Sequence, residues 1–279
     1  MNLYTINTGY FKLDGGAMFG VVPKTIWQKQ HPADSNNRCS WAMRSLLIED
    51  GKRLILVDTG IGNKQDDQFF AHYFLHGEDS LVQSIRAAGF MEDEITDVVL
   101  THLHFDHVGG AVVRREERLE PLFKNAVYWT NEPHWQWAIA PNEREKPSFL
   151  KENLLPLQDS GQLRFIDNTL ASPLGEHITL RFVYGHTEAM MLPQIRYKNQ
   201  TIVFVSDLFP SVAHLPIPYI MAYDMFPLKT LQEKTDFLQE AATNHYVLFF
   251  QHDPVHECCS LHQTEKGIRA QNVFSLQSI

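Results

Sequence analysis

Cysteine is scarce in this chain, with only Cys39, Cys258 and Cys259 among 279 residues. Three thiols cannot form a disulfide framework, so stability has to come from a packed core, and the usage fits a reducing, cytoplasmic compartment. Basic residues are also short, 24 against 33 acids, for a formal charge of −9. That balance provides no face for displacing counterions, which argues against nucleic-acid and anionic-membrane partners. Long apolar runs are missing too. Leu54 to Val57 and Tyr246 to Phe250 have strand length, far below the roughly 20 residues that cross a bilayer. The N-terminus lacks a basic start followed by an apolar stretch, so no secretory signal is expected. Without repeats, low-complexity tracts or Gly/Ser linkers, residues 1–279 read as one domain.

What the chain has in excess is histidine, 14 residues. Local patterning places these against a mixed background. Alternating apolar positions predict strands over Leu3 to Leu13, Trp41 to Ile48 and Arg53 to Val57, the last two joined by a hairpin at Asp50-Gly51. A helix is expected with Asp79 or Ser80 as its N-cap, with Leu81, Val82, Ile85 and Ala88 on one face and Gly89 as its stop. Further strands are expected at Ile95 to Leu100, Ala126 to Thr130, Leu163 to Ile166, Ile178 to Tyr184, Gln194 to Tyr197, Thr201 to Val205 and Tyr246 to Phe250. Helices are expected at Glu132 to Ala140, Ser148 to Leu157 and Leu228 to Thr243. Hairpin-joined strands with helices between them predict an α/β (α+β) fold in which sheets pack together and helices cover the outside.

The sharpest signal is His102-Leu103-His104-Phe105-Asp106-His107 followed by Val108-Gly109-Gly110, directly after an apolar strand. Shuffling this composition gives on the order of 0.002 matches to the three-histidine, one-aspartate pattern. In an extended segment His102 and His104 project to one side, and a turn then lets Asp106 and His107 approach from another. Imidazole nitrogen and carboxylate oxygen are the ligands expected for zinc or a similar divalent metal. Six residues cannot complete such a site. His186 in Tyr-Gly-His-Thr, Asp207 in Val-Ser-Asp and His252 in Phe-Gln-His-Asp each follow an apolar strand and are the candidates for completing it. A separate thiolate site at Cys258 and Cys259 is disfavoured, because adjacent cysteines lack the Cys-x-x-Cys spacing of a structural zinc loop.

His-x-His-x-Asp-His with Gly-Gly, then Gly-His-Thr, Ser-Asp and a late histidine, resembles the metallo-β-lactamase superfamily. The likeness runs from Leu56-Val-Asp-Thr-Gly60 to His252. It implies a four-layer αββα sandwich with two divalent metal ions at one edge of the sheets, most often Zn2+, with Mn2+, Fe2+ and Co2+ as alternatives. By motif, His102, His104 and His186 would hold one ion, Asp106, His107 and His252 the other, and Asp207 would bridge them. Asp58 would orient the site by hydrogen bonds. Two ions held this way imply hydrolysis by a metal-bridging hydroxide, with Asp106 assisting proton transfer.

Within the superfamily the bridging aspartate disfavours antibiotic cleavage, and the acidic charge disfavours RNA. Asp14 to Lys24, and Asp207-Leu-Phe-Pro followed by Ala213-His-Leu-Pro216, resemble the branch of N-acyl homoserine lactonases and organophosphate hydrolases. A small ester or lactone is therefore the expected small-molecule substrate, with phosphotriesters and thioesters as alternatives and a mononuclear-iron persulfide dioxygenase as a further one. The chain departs from many lactonases in reading Gly-His-Thr-Glu-Ala-Met and in placing Pro210 where some carry a tyrosine. Phe19, Trp27, Phe105, His214 and Tyr223, with Met18, Met190 and Met191, are the expected substrate-pocket residues. A homodimer stays open.

Overall fold

The computed structural model describes residues 1–167 and 172–279. Its first sheet begins with β1 (Asn2–Asp14), β2 (Arg38–Asp50), β3 (Arg53–Val57) and β4 (Asp97–Val99). A side hairpin, β5 (Val112–Arg115) and β6 (Arg118–Pro121), precedes β7 (Val127–Thr130) and β8 (Leu163–Phe165). The order is β1-β2-β3-β4-β7-β8, antiparallel up to β3 and parallel from there on. The second sheet contains β9 (Ile178–Val183), β10 (Met190–Tyr197), β11 (Gln200–Phe204), β12 (Val247–Phe249), β13 (Cys258–Thr264) and β14 (Gly267–Phe274). Its order is β14-β13-β12-β11-β10-β9, with only β11 and β12 parallel.

Side-chain alternation divides the core into layers. Leu46, Ile48, Ile55, Val57 and Val99 of the first sheet face Met191, Ile195, Ile202, Phe204 and Phe249 of the second, all fully buried. The opposite residues, Leu47, Leu54, Leu56 and Val98, pack outward against Leu81 and Ile85 of α4 (Leu81–Ala87), Trp135 of α6 (Glu132–Ile139) and Leu154 of α7 (Lys151–Asp159). On the far side Val203, Val205 and Leu248 meet Phe237, Leu238 and Ala241 of α8 (Pro227–Thr243). A period of two in the strands thus yields helix, sheet, sheet and helix in sequence. The remaining short helices are α1 (Gly15–Phe19), α2 (Lys24–Trp27), α3 (Asp67–Tyr73) and α5 (Phe105–Val108).

Several boundaries differ from the sequence expectation for identifiable reasons. β10 starts at Met190, four residues before Gln194, although Pro193 reads as a breaker. The ladder with β11 begins only at Gln194, so Pro193 lies just beyond it. The expected start of α7 at Ser148 is instead a tight turn, Lys146–Ser148, and the helix runs from Lys151 to Asp159.

Gly109 and Gly110 are needed for close approach. Both lie at negative φ, but an added Cβ would stand 2.1 Å from the Ile61 carbonyl oxygen at Gly109 and 2.1 Å from the Thr59 carbonyl oxygen at Gly110. Backbone cannot yield that distance cheaply. Gly110→Ala is expected to cost about 1–3 kcal/mol, read as a lower urea midpoint.

Candidate metal centre

The strand ends of both sheets converge at one edge. Val57 and Val99 end neighbouring parallel strands, so Asp58 and the segment from Leu100 to His104 emerge side by side, and Asp58 N–H bonds the Val99 carbonyl at 2.9 Å. His104 stands at the N-terminal boundary of α5, which then carries Asp106 and His107 on its single turn. Asp207 follows β11, His252 follows β12 and His186 follows β9. Parallel β11 and β12 set the second pair in register, just as β3 and β4 set the first.

Seven candidate side chains meet there. His102, His104 and His186 form one group of ligand atoms, Asp106, His107 and His252 another, and His102, His107 and Asp207 link the two. Asp207 Oδ2 lies 3.2 Å from His186 Nε2 and 3.9 Å from His102 Nε2. Its Oδ1 lies 3.0 Å from His252 Nε2 and 3.5 Å from His107 Nε2. The two oxygens of one carboxylate therefore face two different sets of imidazoles.

Outer hydrogen bonds fix which nitrogens face inward. His104 Nε2 donates to Glu145 Oε1 (2.9 Å), His107 Nδ1 to Asp58 Oδ2 (3.0 Å), His186 Nδ1 to Asp224 Oδ1 (2.8 Å) and His252 Nδ1 to the Ala42 carbonyl (2.8 Å). When the rings are neutral, as metal binding requires, each donation leaves a lone pair on the opposite nitrogen. Those lone pairs point at one another. His186 Nε2 is 3.2 Å from His104 Nδ1, and His252 Nε2 is 3.3 Å from His107 Nε2. Asp207 Oδ1 is buried with no hydrogen-bond donor among the described residues. Converging lone pairs and an orphaned carboxylate oxygen are repulsive alone and are satisfied by cations, so this donor set fits divalent metal.

The local field agrees. Burial alone pushes His107 down, but the carboxylates of Asp106 and Asp207 override it and hold the ring well above the ordinary histidine value. The same field would be met by a metal ion. Burial, reinforced by the neighbouring imidazoles, keeps His102 well below its ordinary value and hence neutral. Asp207 is pushed up by burial but pulled well below the carboxylate range by His107, His252 and His186.

Sequence reasoning missed four supports. Glu145 accepts from His104, Thr187 and the Trp137 indole (2.6 Å); burial raises it, and these partners bring it to about 2. Asp224 orients His186. Thr101 joins Asp58 to Ser206 at 3.0 Å. Lys234, buried in α8, donates to the carbonyls of His214 (2.7 Å), Pro216 (3.2 Å) and Tyr219 (2.6 Å), bracing the approach to Asp224. Glu145, Asp224 and Lys234 lie outside the recognised motifs, and only the fold brings them close.

A cavity of about 400 Å³ opens over the centre, walled by Met18, Tyr73, Phe105, Met221, Tyr223 and Met225, with Arg144 also in its lining. Phe105 and Tyr223 therefore stand where a substrate pocket was expected. Phe19, Trp27 and His214 do not. Phe19 and Trp27 are fully buried and stacked at 5.4 Å, and Phe19 stacks on His214 at 4.6 Å. Both ring nitrogens of His214 are engaged, by the Met18 carbonyl (2.9 Å) and the Ser211 hydroxyl (2.8 Å). Met190 and Met191 are likewise core residues. Stacking satisfies these rings behind the wall and leaves nothing to face a ligand. Phe19→Ala is accordingly expected to cost about 3–5 kcal/mol of stability while shifting KM equally for short and long acyl chains. A selective rise for long chains would put Phe19 in the wall.

The family model of the metallo-beta-lactamase superfamily matches residues 44–252, three quarters of the sequence. The chain belongs to this superfamily. Among solved structures, it is similar to a probable metal-dependent hydrolase of Staphylococcus aureus, with a TM-score of 0.89, 26% identity and coverage of 100% of this chain and 98% of that one. It also shares its fold with AidC, a dizinc quorum-quenching lactonase, at a TM-score of 0.80 and 22% identity, covering 98% and 95%. Among curated proteins it is 28% identical over 137 residues to N-acyl homoserine lactonase AiiB of Agrobacterium fabrum (strain C58), a match covering 45% of this chain and 49% of that protein. The match thus spans about half the length of that relative. No helix among the described residues is long and apolar enough to cross a membrane.

Proposed function

We propose that this chain is a dinuclear metal-dependent hydrolase that opens a lactone or small ester of the N-acyl homoserine lactone type. The observation that carries the proposal is Asp207, whose two oxygens face separate imidazole pairs at 3.2 and 3.0 Å. On this reading His102, His104 and His186 hold one ion, Asp106, His107 and His252 the other, and Asp207 both. Zinc is the proposed metal, as in the dizinc lactonase that shares the fold. When bound, the pair supplies Lewis acidity and a water acidified to near neutrality.

The chain's own residues do the rest. Glu145, Asp58, Asp224 and the Ala42 carbonyl hold four imidazoles in the tautomers that present lone pairs inward. Asp106 lies in the cavity wall and receives or delivers the proton that moves during hydrolysis. Met18, Phe105, Met221 and Met225 provide an apolar wall against which an acyl chain excludes water. We further propose that the chain works in the cytoplasm as a single domain.

Proton release from N-hexanoyl homoserine lactone, compared with a phosphotriester and a thioester, tests the substrate. The lactone is expected to give a kcat/KM on the order of 10⁴ M⁻¹s⁻¹ or above and to exceed the others. Faster turnover of the phosphotriester or the thioester would move the substrate to that class.

A further inference from the structure

A second, larger cavity of about 810 Å³ backs onto the metal centre. Segment 141–151 is the shared wall. Arg144, Glu145, Pro147 and Ser148 face the metal cavity, whereas Lys146, Phe149 and Leu150 face the second one. Phe149 also packs on His104, with ring centroids 4.9 Å apart.

The charge here runs against the rest of the molecule. A chain with a formal charge of −9 places four cations in this lining, Lys64, Arg114, Lys146 and Lys151, against two carboxylates, Asp66 and Glu152. Asp66 already caps α3 by accepting from the Phe69 N–H at 2.8 Å. Among the described residues no carboxylate lies within 4 Å of the charged groups of Lys64, Arg114 or Lys151, whereas Lys146 pairs only with Glu143 at 3.5 Å. Lys64 is itself buried, at 6% exposure, and its ammonium is tied to the Gly109 carbonyl. Burial lowers its affinity for the proton, Glu152 opposes that, and the like charge of Arg114 adds to it. Lys64 and Arg114 line one cavity, neither forms an ion pair among the described residues, and cations outnumber carboxylates there four to two, so an anion would be stabilised. Apart from Gln65 the remaining lining is apolar, with Phe69, Ile139 and Phe149 among it. A compact inorganic anion would leave that side unused.

We propose that this cavity binds an amphiphilic monocarboxylate, its head group held by Lys64 and Arg114 and its chain laid along Ile139 and Phe149. The site is separate from the metal cavity and does not depend on the reaction assigned to it.

The test is calorimetric titration of the metal-loaded protein with decanoate, alongside decanol and inorganic phosphate. Decanoate is expected to bind at this site roughly tenfold or more tightly than either comparison ligand. Arg114→Glu alters an exposed strand residue and keeps the fold testable if Lys64→Met does not fold. It should weaken the decanoate isotherm by roughly tenfold or more while leaving lactone turnover unchanged. Binding should also survive removal of the metals by a chelator, which separates it from a carboxylate resting on the ions. Decanoate binding that is unchanged in Arg114→Glu, lost with the metals, or matched by decanol or phosphate would overturn the proposal.

Discussion

Replacing Asp207 by asparagine is expected to lower lactone turnover by about a thousandfold or more and to reduce bound metal below two ions per chain. The size follows from geometry. One carboxylate presents Oδ2 to His186 and Oδ1 to His252, and Oδ1 has no hydrogen-bond donor among the described residues. Asparagine would keep one oxygen and set an NH2 group, a donor, toward the other half of the site. That half would lose a ligand and gain a group that repels a cation. Metal content by mass spectrometry, together with kcat/KM, reads both effects. Near-normal activity with two ions retained would remove Asp207 from the bridge.

Asp58→Ala carries the second large effect, and it divides between stability and metal affinity. Asp58 is fully buried and accepts from Thr101 N–H (2.8 Å), the Thr101 hydroxyl (2.7 Å) and His107 Nδ1 (3.0 Å). Removing it strands three donors at once and frees His107 to rotate. A loss of about 3–5 kcal/mol is expected, of the size seen when one partner of a buried charged pair is deleted. Metal affinity should fall by roughly 10–100-fold, as for other residues that orient a ligand. Urea midpoints measured with and without a chelator separate the two contributions. Asp58→Asn keeps an acceptor for Thr101 and should recover part of the stability. If alanine and asparagine behave alike, the hydrogen bonds are not what Asp58 provides.

How much of this was legible in the sequence depended on burial. The strand Arg53–Val57 and helix Leu81–Ala87 appear where the apolar pattern placed them, because both bury a clear face in the core. β13 and β14 went unseen for the opposite reason. Most residues of Cys258–Thr264 and Gly267–Phe274 are exposed or half-buried, so their pairing leaves little apolar signal. Helix α3 buries no residue and leaves almost none. In the candidate site, residues that stand at strand ends in recognisable motifs were legible. Glu145 and Asp224 were not, since each acts through a histidine more than 35 positions away in sequence, and no spacing rule connects them. Aromatic residues misled in the other direction. Phe19 and Trp27 stand beside motif segments in sequence, yet Phe19 stacks on Trp27 and His214 and packs at a tilt on His31 and Trp41, which sets both rings behind the cavity wall.

On the proposed reading Asp207 would join two metal ions in one site. Metal analysis of the purified chain, repeated on Asp207→Asn, tests it most directly. Two divalent ions per chain, most of them zinc, are expected in the native protein, and fewer than two in the variant. One iron per chain, with oxygen consumed in the presence of a persulfide and no loss of metal in the variant, would contradict it.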